Sequence, residues 1–331
     1  WVNGCWVSHA SLATTPDHGT RPFAHEELTL TIGWIGLGGM GLPMASNVAR
    51  AGFDLIVHDL RSEAVEEMVG LGATAAGSAA EVAAASEIVF ASLPSESASR
   101  AVLTEVASAD KVPDLYVETS TLSPRVMNEL AAEAVGAGIG FFDSPVSGGV
   151  RSRNEGTLSV MVGGPTAEFD RIGPVLHAFG QDIFHLGEVG AGSVAKITNN
   201  LVTLTTMVTA TEAVLLGTSQ NIDVEQLRDV IMASTGAGPQ VLGVSHHYRT
   251  RKYHDVASPM IALRLATKDL ELAVELAADV GIDARTAKAA LSHWHDAVEA
   301  GLGEAEIWTL IDHLEQTAIS NGTEISNGTE T

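Results

Sequence analysis

Leu30-Thr31-Ile32-Gly33-Trp34-Ile35-Gly36-Leu37-Gly38-Gly39-Met40-Gly41 decides the fold. Leu30 to Gly36 reads as a short buried strand that runs straight into a Gly-x-Gly-x-x-Gly turn, and Gly41 to Ala51 reads as a helix closed by Gly52. A dinucleotide site needs that order. The first glycine makes a tight turn, the second lets the backbone approach a pyrophosphate, and the third lets helix and strand pack closely. The spacing alone is weak evidence. Asp54–His58 then reads as the next strand, with Asp59 at its carboxyl end, about 20 residues on, where an acid accepts from the adenosine ribose. The cofactor residues expected here are Gly36, Leu37, Gly38, Gly39, Met40, Gly41 and Asp59, with Arg61 beside them. Asp59 would repel a 2′-phosphate, so NAD is favoured over NADP, while Arg61 pulls the other way.

Working outward, helices near Ser62–Leu71 and Ala79–Ala85 alternate with strands near Ala75 and at 87–91, Tyr116–Glu118, Gly140–Asp143 and Leu158–Val162. Alternating β and α elements on short connections imply an α/β fold of Rossmann type, a doubly wound parallel sheet. After about Gly192 the strand signals stop. Ser193–Leu216 reads as one long helix without proline or glycine, and Val224–Ala233, Pro259–Val280, Ala284–Ala300 and Glu304–Thr317 read as helical. The expected division is an irregular extension over 1–29, a nucleotide-binding domain over 30–192, an all-helical domain over 193–317 and a disordered tail over 318–331. The tail repeats Ile-Ser-Asn-Gly-Thr-Glu at 319–324 and 325–330; its Asn-Gly-Thr triplets read as chance matches to a glycosylation signal.

The net charge of −23 argues against nucleic acid or an anionic membrane as partner. No apolar run reads as long enough to span a bilayer. The first thirty residues do not read as a secretory signal, and the single Cys5 excludes a disulfide within the chain, so a cytoplasmic location is expected. The histidines lack metal-ligand spacing with carboxylates or the cysteine, and no metal is expected.

The chain has five lysines against 41 acidic residues. Lys196, in Val194-Ala195-Lys196-Ile197-Thr198-Asn199-Asn200, therefore stands out on an otherwise apolar stretch. Lys196, Asn199 and Asn200 fall at i, i+3 and i+4 and share one helix face. Burial lowers a lysine's pKa toward neutrality and makes it usable as a general acid or base; the competing reading is a snorkelling side chain. Two loops lie at carboxyl ends of strands, where open α/β sheets bind ligands: Ser92-Leu93-Pro94-Ser95, and the hydroxyl-rich Thr119-Ser120-Thr121-Leu122-Ser123-Pro124. A hydroxyl before proline is as readily a helix cap. Asp143-Ser144-Pro145-Val146-Ser147-Gly148-Gly149 is a turn whose bare amides suit a carboxylate. Lys268-Asp269 reads from spacing as a surface ion pair.

Together these motifs, with Gly156-Thr157-Leu158, Gly190-Ala191-Gly192 and Lys268-Asp269-Leu270 in this order, resemble the β-hydroxyacid dehydrogenase family over roughly residues 31–300. The short members of 3-hydroxyisobutyrate dehydrogenase or tartronate semialdehyde reductase type are the most similar. The resemblance implies an NAD(P)-dependent enzyme that reversibly passes hydride between nicotinamide and a small β-hydroxy acid, with Lys196 moving the hydroxyl proton and Asn200 orienting substrate or lysine. It further implies Ser120, Ser147, Gly148, Gly149 and Asn199 around the substrate, and Leu93, Pro94, Thr121 and Lys268 on the cofactor, Lys268 closing from the helical side. A homodimer or homotetramer is implied as well.

Departures concern the substrate. Ser152-Arg153 stands where members carry Gly-Ala, so Arg153 either binds a second carboxylate or faces solvent, and Ile261 replaces a common aromatic. The Thr235–Gln240 loop matches neither type. Reduction of an aldehyde acid or imine is the alternative chemistry, although imine reductases of this fold tend to lack the lysine. A non-catalytic nucleotide-binding relative is a different class, and would be expected to lose the lysine too.

Overall fold

The computed structural model describes residues 30–254 and 261–323. The expected N-terminal extension, the start of the helix expected from Pro259 and the second tail repeat lie outside the described residues.

The glycine turn joins β1 (Thr31–Ile35) to α1 (Gly41–Arg50). The chain continues through β2 (Asp54–His58), α2 (Ser62–Gly70), β3 (Thr74–Ala75), α3 (Ala79–Ala85), β4 (Ile88–Ala91), α4 (Glu96–Ala107), β5 (Leu115–Glu118), α5 (Pro124–Gly136) and β6 (Gly140–Asp143). The six strands form one parallel sheet in the order β3-β2-β1-β4-β5-β6, the doubly wound arrangement expected. Alternate residues serve opposite faces. Ile32, Trp34, Phe90 and Phe142 pack under α1 and α2, while Ile35, Val89, Tyr116 and Phe141 pack under α3, α4 and α5. Trp34 stacks on Phe90 with ring centroids 5.3 Å apart and meets the edge of Phe179; such pairs add about 1 kcal/mol each beyond burial.

A second sheet, which the sequence reading does not anticipate, follows. It comprises β7 (Val146–Ser147), β8 (Leu158–Val162) and β9 (Gly180–His185), with α6 (Val150–Glu155) and α7 (Phe169–Phe179) between them. The expected strand over Leu158–Val162 is its centre, antiparallel to β7 and parallel to β9. Polar residues interrupt β9 and β7 is only two residues long, so neither shows a clear period.

From Ala191 the chain is helical: α8 (Ala191–Ser219), α9 (Val224–Met232), α10 (Pro239–Thr250), α11 (Leu263–Asp279), α12 (Arg285–Ala297) and α13 (Leu310–Ser320). α8 is long and apolar enough to cross a membrane by length and composition alone, contrary to the sequence expectation. It is the spine of the helical region: Ile197, Leu204, Met207, Val208 and Val214 share one core with Val244, Leu263, Leu270 and Trp294 from α10, α11 and α12. The helix expected to end at 300 breaks into a π-turn over Val298–Leu302, where Gly301 takes φ +88°. The tail expected to be disordered from 318 is helical to Ser320; Asn321 and Gly322, with φ +89°, end it.

Candidate active site

The glycine turn has the shape its spacing requires. A Cβ on Gly41 would lie 2.0 Å from the Gly36 carbonyl oxygen, and one on Gly36, at φ +91°, would lie 2.3 Å from the Ser92 carbonyl oxygen. Both glycines are therefore compelled by backbone packing. A Cβ on Gly38 would meet nothing within 4 Å, so the middle of the turn presents bare backbone to open space, the surface a pyrophosphate approaches.

Asp59 closes this corner. Its carboxylate accepts from the Leu37 amide at 2.6 Å and from the Arg61 amide at 2.8 Å, and the Arg61 guanidinium also donates to the Leu37 carbonyl at 2.6 Å. Burial pushes the Asp59 carboxyl up, but the Leu37 and Arg61 hydrogen bonds outweigh it and hold it below its ordinary value. Arg153 faces this turn from α6, donating to the Gly39 carbonyl at 2.8 Å. Its guanidinium thus reaches the nucleotide turn, while its amide stays bound to Gly149 at the loop beside which the sequence reading set it.

The remaining candidate residues converge from four directions. On the β5–α5 loop, the Ser120 hydroxyl accepts from the Leu93 amide at 2.7 Å, tying that loop to the one after β4. From α8, Asn199 Nδ2 reaches Ser147 Oγ at 3.3 Å and Asn200 Nδ2 donates to Asp269 at 2.7 Å. From α11, Lys268 Nζ donates to the Thr121 carbonyl at 2.7 Å and pairs with Asp269 at 3.1 Å. The helical region thus latches onto the sheet across this cleft. Gly148 and Gly149 lie exposed ahead of α6.

Lys196 sits half-buried one turn before Asn200, and among the described residues its Nζ has no hydrogen-bond partner. Burial holds its pKa below the ordinary lysine value; Asp269 opposes that and Lys268 adds to it. The start of α8 is fixed by a remote acid. Asp143, fully buried at the end of β6, accepts from the Gly190 amide at 2.7 Å and the Ser193 amide at 2.6 Å. These are otherwise orphaned donors of the first turn, and the cap sets the phase in which Lys196, Asn199 and Asn200 face the cleft.

Two residues escaped the sequence reading. Asp269, quoted there only as half of a surface pair, binds Lys268 and Asn200 together at 18% side-chain exposure. Glu118, fully buried at the end of β5, accepts both the amide and the hydroxyl of Ser120. The available signal was an acid closing the apolar run Leu115-Tyr116-Val117.

This geometry agrees with what the chain is similar to. A family model described as the NAD binding domain of 6-phosphogluconate dehydrogenase matches residues 31–187, and one described as NAD-binding of NADP-dependent 3-hydroxyisobutyrate dehydrogenase matches 190–314. The 2-(hydroxymethyl)glutarate dehydrogenase of Eubacterium barkeri is 34% identical over 305 residues, covering 91% of this chain and 99% of the relative. The chain belongs to the β-hydroxyacid dehydrogenase family. Within that family, the 3-hydroxyisobutyrate dehydrogenase of Pseudomonas aeruginosa is 39% identical over 212 residues, 62% of this chain and 70% of its own. The solved Mycobacterium tuberculosis 3-hydroxyisobutyrate dehydrogenase with L-serine superposes with a TM-score of 0.77 at 30% identity, covering 87% of this chain and 99% of that one. Like other β-hydroxyacid dehydrogenases, the protein is an NAD(P)-dependent oxidoreductase.

Proposed function

We propose that the enzyme reversibly oxidises a small β-hydroxy acid of 3-hydroxyisobutyrate type, with Lys196 as the general acid and base. The observation that carries this reading is the convergence of Lys196, Asn200, Ser120 and Lys268 at the carboxyl ends of β4 and β5, beside the glycine turn. The bare face of Gly38 and the Asp59 carboxylate suit a dinucleotide, which when bound supplies a nicotinamide carbon that takes or returns a hydride.

In oxidation, neutral Lys196 takes the proton from the substrate hydroxyl oxygen as hydride leaves the carbon that bears it; in reduction of an aldehyde acid the ammonium returns the proton to that oxygen. Burial lowers the lysine pKa, which enlarges the neutral fraction that oxidation needs. Asn200, with one N–H committed to Asp269, is fixed as an orienting group. Ser120, with the Gly148 and Gly149 amides, takes the substrate carboxylate, while Lys268 offsets its charge in an otherwise strongly acidic protein. Asn199 and Ser147 line the same cleft, and Leu93, Pro94 and Thr121 carry the loops under the cofactor.

NAD is the cofactor we favour. The Arg61 guanidinium is engaged with Asp59 and the Leu37 carbonyl, leaving a carboxylate where a 2′-phosphate would have to lie. The division near residue 192, a cytoplasmic location and a homodimer or homotetramer complete the reading. The paired state is supported by the exposed apolar positions Val202 and Leu216 on α8.

Lys196→Ala tests the assignment. Turnover with the best of 3-hydroxyisobutyrate, glycerate, serine and 3-hydroxypropionate should fall by about 10²–10⁴, with NAD affinity nearly unchanged. Wild-type turnover in that variant would refute the proton-transfer role.

A further inference from the structure

The carboxyl group of Glu118 has no place in the chemistry above, yet it is the group Ser120 touches first. Glu118 is completely buried. One oxygen, Oε1, accepts the Ser120 amide at 3.1 Å and the Ser120 hydroxyl in a short bond. The other, Oε2, and the buried hydroxyls of Ser99 on α4 and Tyr116 on β5 meet no full hydrogen-bond geometry among the described residues, although both hydroxyls lie near enough to lower the carboxyl's pKa.

A serine hydroxyl has one proton to give. The Ser120 oxygen already accepts from the Leu93 amide, and its proton points to Glu118. While Glu118 is ionised, that proton is committed and cannot serve a substrate carboxylate. Once Glu118 is protonated, the acid donates to the Ser120 oxygen and the serine proton turns outward. Like-charge repulsion acts in the same direction, because an ionised Glu118 and a bound carboxylate would flank one hydroxyl.

We propose that Glu118 is a positioning residue whose proton decides whether the Ser120 hydroxyl can donate to the substrate carboxylate. The inference rests on the reading of Ser120 as the carboxylate donor.

The surroundings favour the neutral acid. Burial raises the Glu118 carboxyl to about 7, against the lowering effect of the Ser120, Ser99 and Tyr116 groups. The strands on either side bring Ala91 from β4 and Asp143 from β6 into register with it. Asp143 is a second buried acid, itself raised by burial to about 6. α5 contributes Val126, Met127 and Leu130 to the same core. Among the described residues no cation pairs with it: Arg100 on α4 is bound to Glu96 and Glu129 at the surface. The acid therefore changes charge within the range where the enzyme would work.

The test uses isobutyrate, a carboxylate that cannot be oxidised at a β-hydroxyl, titrated onto the NAD-bound enzyme. If only the protonated form binds, the apparent Kd rises as the inverse of the protonated fraction, about thirtyfold between pH 6 and 8.5 for a carboxyl titrating at about 7. Glu118→Gln, which cannot ionise, should bind with a Kd that is flat over that range. Lys196 also titrates beside the ligand, so both proteins are compared again with Lys196→Met, and the difference between them should persist. A wild-type slope in Glu118→Gln overturns the inference. Should that variant not fold, Ser120→Ala takes its place, expected to bind weakly at every pH and without the slope; a retained slope would equally overturn it. If Ser120→Ala instead binds isobutyrate as tightly as wild type at pH 6, the carboxylate reading of Ser120 itself is wrong.

Discussion

Replacing Glu118 by glutamine should change how stability depends on pH, whatever the substrate proves to be. The carboxyl moves from its usual 4.5 to about 7 on burial, and each pKa unit is about 1.4 kcal/mol. Ionising it inside the fold therefore costs about 3 kcal/mol more than in the unfolded chain. The sign follows from which state is charged. Below pH 4.5 the acid is neutral in both states and folding bears no penalty; above pH 7 it is charged in both and folding bears all of it. Stability is thus lost as pH rises, and between pH 5 and 8.5 this group alone should remove about 2.5 kcal/mol. Glu118→Gln cannot ionise and should lack that loss. Urea unfolding of both proteins at the two pH values, at one protein concentration, isolates the effect as a difference of differences, in which the other titrating groups cancel to first order. A double difference under about 1 kcal/mol would show that Glu118 is not held neutral by burial, and the argument built on its proton would fall with it.

Other perturbations address the rest of the site. Asp269→Asn removes the charge that opposes the lowering of the Lys196 pKa, so the acidic limb of the pH profile of kcat for oxidation should move to lower pH; an unmoved limb would mean the two groups are not coupled. Gly41→Ala sets a methyl against the Gly36 carbonyl and should abolish measurable NAD binding by calorimetry, whereas Gly38→Ala should fold normally and weaken only the cofactor. Asp143→Asn leaves one oxygen for two amides, so unfolding should be easier by about 1–2 kcal/mol, with kcat reduced because Lys196 shifts in phase.

The sheet was legible because its strands are short apolar runs with glycine or proline at their ends. The glycine turn was legible because backbone sterics leave few residues that fit: Gly36 and Gly41 are demanded by contacts of 2.3 and 2.0 Å. Lys196 and Asn200 could be placed on one face from helical period alone. Other features depended on distance across the fold. Asp269 matters through Asn200, 69 positions away. Arg153 meets Gly39, 114 positions away, a contact that no local pattern records. The second sheet hid because β7 is two residues long and β9 pairs with β8 across an intervening helix.

The acid that caps α8 has a mechanical consequence. The helix is 29 residues long, about 44 Å at 1.5 Å per residue, and is tied to β6 at its first turn by Asp143 and to β7 by the Asn199–Ser147 contact. Lys196 lies about 8 Å along the rod from that pin. A tilt of about 5° would swing the far end by about 4 Å yet move the lysine by less than about 1 Å. Lys268, borne on α11, meets the α/β region instead through its ammonium on the Thr121 carbonyl. An amine set this close to the buried cap of its own helix is therefore the part of that helix least displaced by any such tilt.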